Sequence, residues 1–144
     1  MIIRQAVLGD AAIISKLNDD YFHEESRDFT SIINSKESSM YLAIENDEVI
    51  GFTGMQTNTW NNTISVIDIF VHPDHRKKGI GHRLLNHLIT SAKNTEYRCI
   101  IAEAPSLNSV LQLYLTSGFR ICGYNDRYYG NDGGEVALFV ALDL

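Results

Sequence analysis

The stretch HPDHRKKGIG, residues 72–81, follows a β-branched apolar run at 64–71 (ISVIDIFV) and precedes a periodic apolar pattern at 80–92 (IGHRLLNHLITSA). That context reads as strand, turn and helix start. Pro73 and Asp74 end the strand, Gly79 and Gly81 let the main chain approach something bulky, and Arg76, Lys77 and Lys78 lie between them. The first turn of a helix leaves backbone N–H groups without intrahelical partners at the positive end of its dipole, which suits a phosphate or pyrophosphate. Neither a Walker loop nor the GxGxxG of a dinucleotide turn is present. The pattern is Arg-x-x-Gly-x-Gly, over 76–81. An exposed basic turn could carry the same six letters, and the strand before it and amphipathic helix after it argue for the anion site.

Upstream, 40–45 (MYLAIE) and 48–56 (EVIGFTGMQ) read as strands joined at Asn46-Asp47, a pair suited to a two-residue hairpin turn. Residues 2–5 form a short strand. Asp10 is placed to cap a helix whose apolar positions Ile13, Ile14, Leu17 and Tyr21 fall at helical spacing, and 29–35 is a second, weaker helical stretch. Between these helices, Asp19, Asp20, Tyr21, Phe22, His23, Glu24 and Glu25 read either as a solvated helix end or as the wall of a site for a cationic acceptor. Downstream, the helix at 80–92 buries Ile80, Leu84, Leu85, Leu88, Ile89 and Ala92, and its other face carries His82, Arg83, Asn86, His87 and Lys93. Residues 99–103 read as a buried strand ending in Glu103 and broken by Pro105. Ser106 or Asn108 then caps a helix with Val110, Leu111, Leu113 and Tyr114, which Gly118 ends. Strands at 119–124 and 135–142 flank a polar, glycine-rich loop at 125–134.

A chain of 144 residues with no repeat or linker is expected to be a single domain, 1–144. No run of eighteen apolar residues and no secretory pattern is visible, so the expected compartment is the cytoplasm, with no membrane partner. The net charge of −6 argues against nucleic acid as a partner, and sets the basic cluster at 76–78 apart as a dedicated anion site. Cys99 and Cys122 are expected as small buried thiols. His72, His75, His82 and His87 straddle a loop and a helix without the HExxH spacing, so no metal site is expected. A homodimer stays open.

With Ile69-Phe70-Val71 before it, the 76–81 loop resembles the acetyl-CoA signature of the GNAT superfamily of N-acetyltransferases. A second stretch, Leu113-Tyr114-Leu115-Thr116-Ser117-Gly118-Phe119, is similar to the family's Tyr-x-x-x-Gly-Phe. The element order β-α-α-β-β-β-α-β-α-β-β resembles the GNAT fold over the full length, which implies an α/β (α+β) architecture with a mixed sheet of about seven strands and about four helices. The resemblance implies acetyl-CoA as cosubstrate. Its contacts would be Ile69, Phe70, Val71, Arg76, Lys77, Lys78, Gly79, Ile80, Gly81, His82, Asn108 and Tyr114. Weaker likeness extends to streptothricin acetyltransferases, through Trp60-Asn61, 67–71, Glu103 with Asn108, and 135–139. Likeness to ribosomal-protein alanine N-acetyltransferases runs through 71–74, Arg127-Tyr128-Tyr129 and 135–138. Two departures stand out. Ile67-Asp68 replaces a Glu-Asp pair of the streptothricin enzymes, and Asn108 lies six residues before Tyr114 where the family has seven, so its coenzyme contact is left open.

Moving an acetyl group to an amine needs the amine neutral, and with a pKa of about 10.4 only ~1 in 2,500 lysine-type amines is free at pH 7. Glu103, at the carboxyl end of a strand, is the first candidate for the base, directly or through a water, and Asp68 the second. Their structural alternatives are a helix-capping or arginine-paired carboxylate for Glu103, and a solvent-facing or ion-paired strand residue for Asp68. Tyr114 is expected, from the resemblance, to protonate the departing thiolate, where composition alone would make it a core aromatic. Backbone N–H groups near Phe70 and Val71 would polarise the acetyl carbonyl. The expected acceptor is a small cationic amine, such as an antibiotic or polyamine, suited to Asp19, Asp20, Glu24, Glu25 and Asp126. The alternatives are a protein N-terminus or lysine, or a non-catalytic acyl-CoA-binding regulatory module.

Overall fold

The structure, a computed structural model, describes residues 1–22 and 26–144. The strands are β1 (Ile2–Gln5), β2 (Ser38–Glu45), β3 (Glu48–Asn58), β4 (Thr63–Val71), β5 (Cys99–Pro105), β6 (Arg120–Asn125) and β7 (Ala137–Asp143). The helices are α1 (Ala11–Tyr21), α2 (Phe29–Asn34), α3 (Ile80–Lys93) and α4 (Val110–Thr116), with single 3-10 turns at Leu8–Asp10 and Pro73–His75. The element order is the expected one. All seven strands join one mixed sheet in the order β1-β2-β3-β4-β5-β7-β6. The parallel ladder pairs Thr63–Ser65 with Cys99–Ile101. The chain divides into two compact units, 1–56 with 67–88 and 57–66 with 89–144, and both β4 and α3 run through the division.

In the first unit, Asn46 and Asp47 both take positive φ, 50° and 63°, and close the β2–β3 hairpin so that Glu45 faces Glu48. Strand alternation then sends side chains to two cores. Met40, Leu42, Phe52 and Phe70 pack with Ile14 and Leu17 of α1 and with Phe29 of α2. Ala43 and Ile50 pack with Ile80 and Leu84 of α3. The buried stripe of α1 is Ala11, Ile14, Leu17 and Asn18. Ile13 and Tyr21 are more than a third exposed, because the helix presents a narrower stripe than the apolar spacing implied. Asp10 likewise departs from expectation. Its carboxylate turns back to accept from Val7 N at 2.8 Å and from both terminal nitrogens of Arg4, and caps the preceding 3-10 turn instead of α1.

In the second unit, β5 alternates. Ile100, Ala102 and Ala104 are buried, while Glu103 is exposed on the opposite face. The strand continues to Pro105, which pairs with Ala137 and ends the ladder. Ser106 does not cap α4. Its N–H donates to Val136 O at 2.9 Å and its hydroxyl accepts from Val136 N at 3.1 Å. Helix α4 ends as read: Gly118 has φ 98°, Phe119 N donates to Tyr114 O at 3.1 Å and Gly118 N to Leu115 O at 3.2 Å, a Schellman closure. Cys99 is buried, whereas Cys122 is exposed. The register of β6 slips between Ile121 and Gly123, so Cys122 is the extra residue of a β-bulge. Among the described residues no helix is long and apolar enough to cross a membrane.

Candidate active site

The 72–81 bend is shaped by main-chain conformation and locked by its own side chains. Lys77 and Gly79 take positive φ, 59° and 80°, and a Cβ on Gly79 would meet nothing within 4 Å. Gly79 O accepts from Arg83 N at 3.1 Å, so α3 begins with the amides of Ile80, Gly81 and His82 ahead of its first intrahelical bond. No acidic residue lies in that first turn, and Arg76, Lys77 and Lys78 are exposed beside it. Arg76 Nε donates to Val71 O at 2.9 Å and Lys78 Nζ to Asp74 O at 3.1 Å, which draws the cationic stems along the bend. A run of helix-start amides with three cations beside it and no acid in the first turn of α3 fits a diphosphate.

The bend is also tied to α1. Asp74 N donates to His72 Nδ1 at 3.2 Å, which leaves the ring proton on Nε2, donated to the Tyr21 hydroxyl at 2.8 Å. Tyr21 packs on Phe70 at 5.5 Å, and Phe70 on Phe52 at 5.1 Å. Within the same unit the Asp68 carboxylate forms an ion pair with Arg27, whose guanidinium lies 5.0 Å from the Phe29 ring. The Asp68 side chain is only 7% exposed, and its main-chain oxygen accepts from Thr53 Oγ1 at 2.8 Å. Glu24 and Glu25 of the acidic patch fall outside the described residues, while Asp19 and Asp20 lie late in α1, Asp20 paired with Lys16 at 2.6 Å.

The second unit carries Glu103, Asn108 and Tyr114. Glu103 is neither a helix cap nor an arginine partner. Its Oε1 accepts from the Tyr128 hydroxyl at 2.6 Å. Asn108 Oδ1 accepts from Val110 N at 3.0 Å and so caps the start of α4. Tyr114 is buried, its ring edge-on to Phe119 at 5.1 Å, and Phe119 is held by the turn that Gly118 closes. Beside Tyr128, the loop after β6 opens a shallow basin of about 570 Å³ lined by Leu107, Tyr129, Asn131, Asp132 and Glu135, with glycines between. Among the described residues no three His, Cys, Asp or Glu side chains group as metal ligands.

Residues 11–119 match the acetyltransferase (GNAT) family. The chain belongs to that family. Among its GNAT relatives, the streptothricin acetyltransferase of Streptomyces lavendulae is 29% identical over 110 residues, 74% of this chain and 58% of that protein. The chain thus spans less than two thirds of that relative's length. A Bacillus anthracis str. Ames protein assigned as a streptothricin acetyltransferase, solved with acetyl coenzyme A, is 30% identical. It superposes with a TM-score of 0.75 over 86% of this chain and 72% of its own. The ribosomal-protein-S18-alanine N-acetyltransferase of Escherichia coli shares the GNAT fold at a TM-score of 0.85, 22% identical, over 99% of this chain and 92% of its own. The family and the fold expected from the 76–81 loop and from 113–119 are both borne out.

Tyr128 is the polar contact that the sequence did not disclose. Twenty-five positions separate it from Glu103, in a loop rich in Gly, Asn and Asp. The signals were a pair of aromatics, Tyr128-Tyr129, in a stretch otherwise built of turn residues, and the likeness of Arg127-Tyr128-Tyr129 to the ribosomal-protein alanine enzymes.

Proposed function

We propose that this chain is an acetyl-CoA-dependent N-acetyltransferase acting on a primary amine by direct attack in a ternary complex. The observation that carries this reading is the 72–81 bend: helix-start amides, Gly79 in a left-handed conformation and three exposed cations with no acid in the first turn. Family membership supports it. Acetyl-CoA supplies the activated acyl group. The amides of Ile80, Gly81 and His82, with Arg76, Lys77 and Lys78, hold the diphosphate, and the main chain of Ile69, Phe70 and Val71 pairs with the pantetheine arm and polarises the acyl carbonyl. Glu103 takes the proton from the attacking amine. Asp68 is the weaker candidate for this base, because its carboxylate is already committed to Arg27. Tyr114 gives its proton to the departing sulfur. Asn108, engaged with Val110 N, contributes to the coenzyme site only by way of the turn that it shapes. The two compact units act as one catalytic domain.

The acceptor in this reading is a small cationic amine of the streptothricin kind. Its support is the likeness to streptothricin acetyltransferases together with Asp132 and Glu135 in the basin that Tyr129 lines, and Asp126 at the start of the same loop. A protein N-terminus is the second reading, favoured by Arg127-Tyr128-Tyr129 followed by Glu135-Val136-Ala137-Leu138, the stretch similar to the ribosomal-protein alanine enzymes. One experiment separates these from a non-catalytic module. Acetyl-CoA binding is measured by calorimetry, and CoA release is then followed with a thiol reagent over streptothricin, spermidine, an aminoglycoside and a peptide beginning with alanine. Binding with turnover on streptothricin is expected. Tight binding without turnover on any amine makes the protein a module, and no heat of association at millimolar acetyl-CoA ends the reading altogether.

A further inference from the structure

The contact between Tyr128 and Glu103 has the length of a charge-assisted hydrogen bond, 2.6 Å from hydroxyl oxygen to carboxylate Oε1. The phenol that makes it is well braced. Tyr129 packs edge-on against its ring at 5.0 Å and 77°. Ahead of it, Asn125 Oδ1 accepts from Arg127 N at 2.9 Å and turns the chain as it leaves β6. Beyond it, the two hydrogen bonds between Ser106 and Val136 clasp the far end of the loop to the residue that follows β5.

The carboxylate itself has no such bracing from its own strand. Glu103 lies on the exposed face of β5, and its cross-strand neighbour on β7 is Phe139, which offers neither charge nor hydrogen bond. An exposed glutamate samples several rotamers, and ordering one costs side-chain entropy. A solvent-exposed polar contact returns little stability to the fold. Its consequence is orientation: one oxygen is held by the Tyr128 hydroxyl, and the other is thereby aimed.

We infer that Tyr128 is a positioning residue for the acetyl transfer: its hydroxyl holds Oε1 of Glu103, so that Oε2 meets the acceptor amine as the proton-accepting oxygen. The inference rests on the reading of Glu103 as the base. The proton balance is simple. The amine N–H bond breaks as nitrogen bonds the acyl carbon, that proton goes to Oε2, the carbon–sulfur bond breaks as Tyr114 protonates the departing thiolate, and Tyr128 keeps its own proton throughout. Tyr129 lines the 570 Å³ basin and packs on Tyr128, so an acceptor seated in the basin meets the neighbour of the tyrosine that sets the base.

The test compares the wild type, Tyr128→Phe, Glu103→Gln and the double variant, with acetyl-CoA and with streptothricin or an alanine-led peptide as acceptor. The Glu103 side-chain carboxyl ¹³C signal is also recorded at neutral pH in the wild type and in Tyr128→Phe, as a reporter of the hydrogen bond. Tyr128→Phe is expected to lower kcat roughly ten- to hundredfold, leave KM for acetyl-CoA unchanged and move the Glu103 carboxyl signal. In the Glu103→Gln background the same change is expected to have no further effect on kcat. An unmoved Glu103 carboxyl signal in Tyr128→Phe overturns the inference whether or not either acceptor turns over. So does wild-type kcat in Tyr128→Phe while Glu103→Gln is inactive, and the base assignment then survives. Wild-type turnover in Glu103→Gln is a different failure: it removes Glu103 as base and with it the catalytic meaning of the pair, even where the carboxyl signal has moved.

Discussion

The bend at 72–81 and the Glu103–Tyr128 pair are built from different material. The bend is a main-chain object. Its shape lies in the positive φ of Lys77 and Gly79 and in the amides that open α3, and its side chains, Arg76 and Lys78, fold back onto carbonyls of the same segment. Every one of these parts lies within residues 71–82. The pair is a side-chain object, joined across twenty-five positions by one hydroxyl. A main-chain anion site spreads its work over several equivalent N–H groups, so losing one side chain weakens it by degrees. A side-chain base is a single group, and its loss is felt in the chemical step.

Substitutions can break that contrast, and the largest effect belongs to the second unit. Tyr114→Phe is expected to lower kcat by ~10²- to 10⁴-fold where proton transfer limits the rate, with the acetyl-CoA Kd nearly unchanged by calorimetry. Equal losses in kcat and affinity would make Tyr114 a packing residue against Phe119. Next, Arg76→Ala is expected to weaken acetyl-CoA binding by about 1.5–3 kcal/mol at low salt, and by less as salt rises. Because Arg76 also donates to Val71 O, Arg76→Lys should restore only part of the affinity. Gly79→Ala places a side chain at φ 80° with open space around it, so its cost is conformational alone, about 1–2 kcal/mol, read as a lower melting temperature or weaker acetyl-CoA binding.

The smallest effect lies away from both sites. The Arg4 guanidinium holds the Asp10 carboxyl below its ordinary value, with burial acting against it. A depressed carboxyl stabilises the fold above its unfolded value of about 3.9, and that contribution disappears as pH falls through the lower folded value. Arg4 is 41% exposed, so solvent screening keeps the contribution to less than about 1 kcal/mol. Arg4→Ala should therefore lower the melting temperature slightly at neutral pH and leave it unchanged in strong acid. A difference that persists there would assign the loss to packing.

What could be read in the sequence follows the same division. The Asn46-Asp47 hairpin, the start of α3 after Gly79 and the closure of α4 at Gly118 each depend on a few adjacent residues with strong backbone preferences, and all three formed as read. Asp10 was read as a local cap, but Arg4, six residues away, won its carboxylate. Asp68 was read as base or as a solvent-facing or ion-paired strand residue, and the ion pair it makes is with Arg27, forty-one positions off and silent in any local pattern. Ile13 fell at helical spacing yet faces solvent, because spacing sets a face without setting how wide a stripe the neighbouring elements cover. The bulge in β6 was equally hidden, since a slip in register depends on the partner strand.

That bulge has a practical consequence. The reagents that report free CoA work by disulfide exchange, and they do not distinguish a coenzyme from a cysteine. Cys99 is shielded inside the second unit, but Cys122 stands outward at the slip. A colorimetric trace of this protein should therefore open with a step of one equivalent per chain before any steady slope, and Cys122→Ser should erase that step without altering the slope. The same lone outward thiol is a ready attachment point for a fluorophore, beside the loop that carries Tyr128.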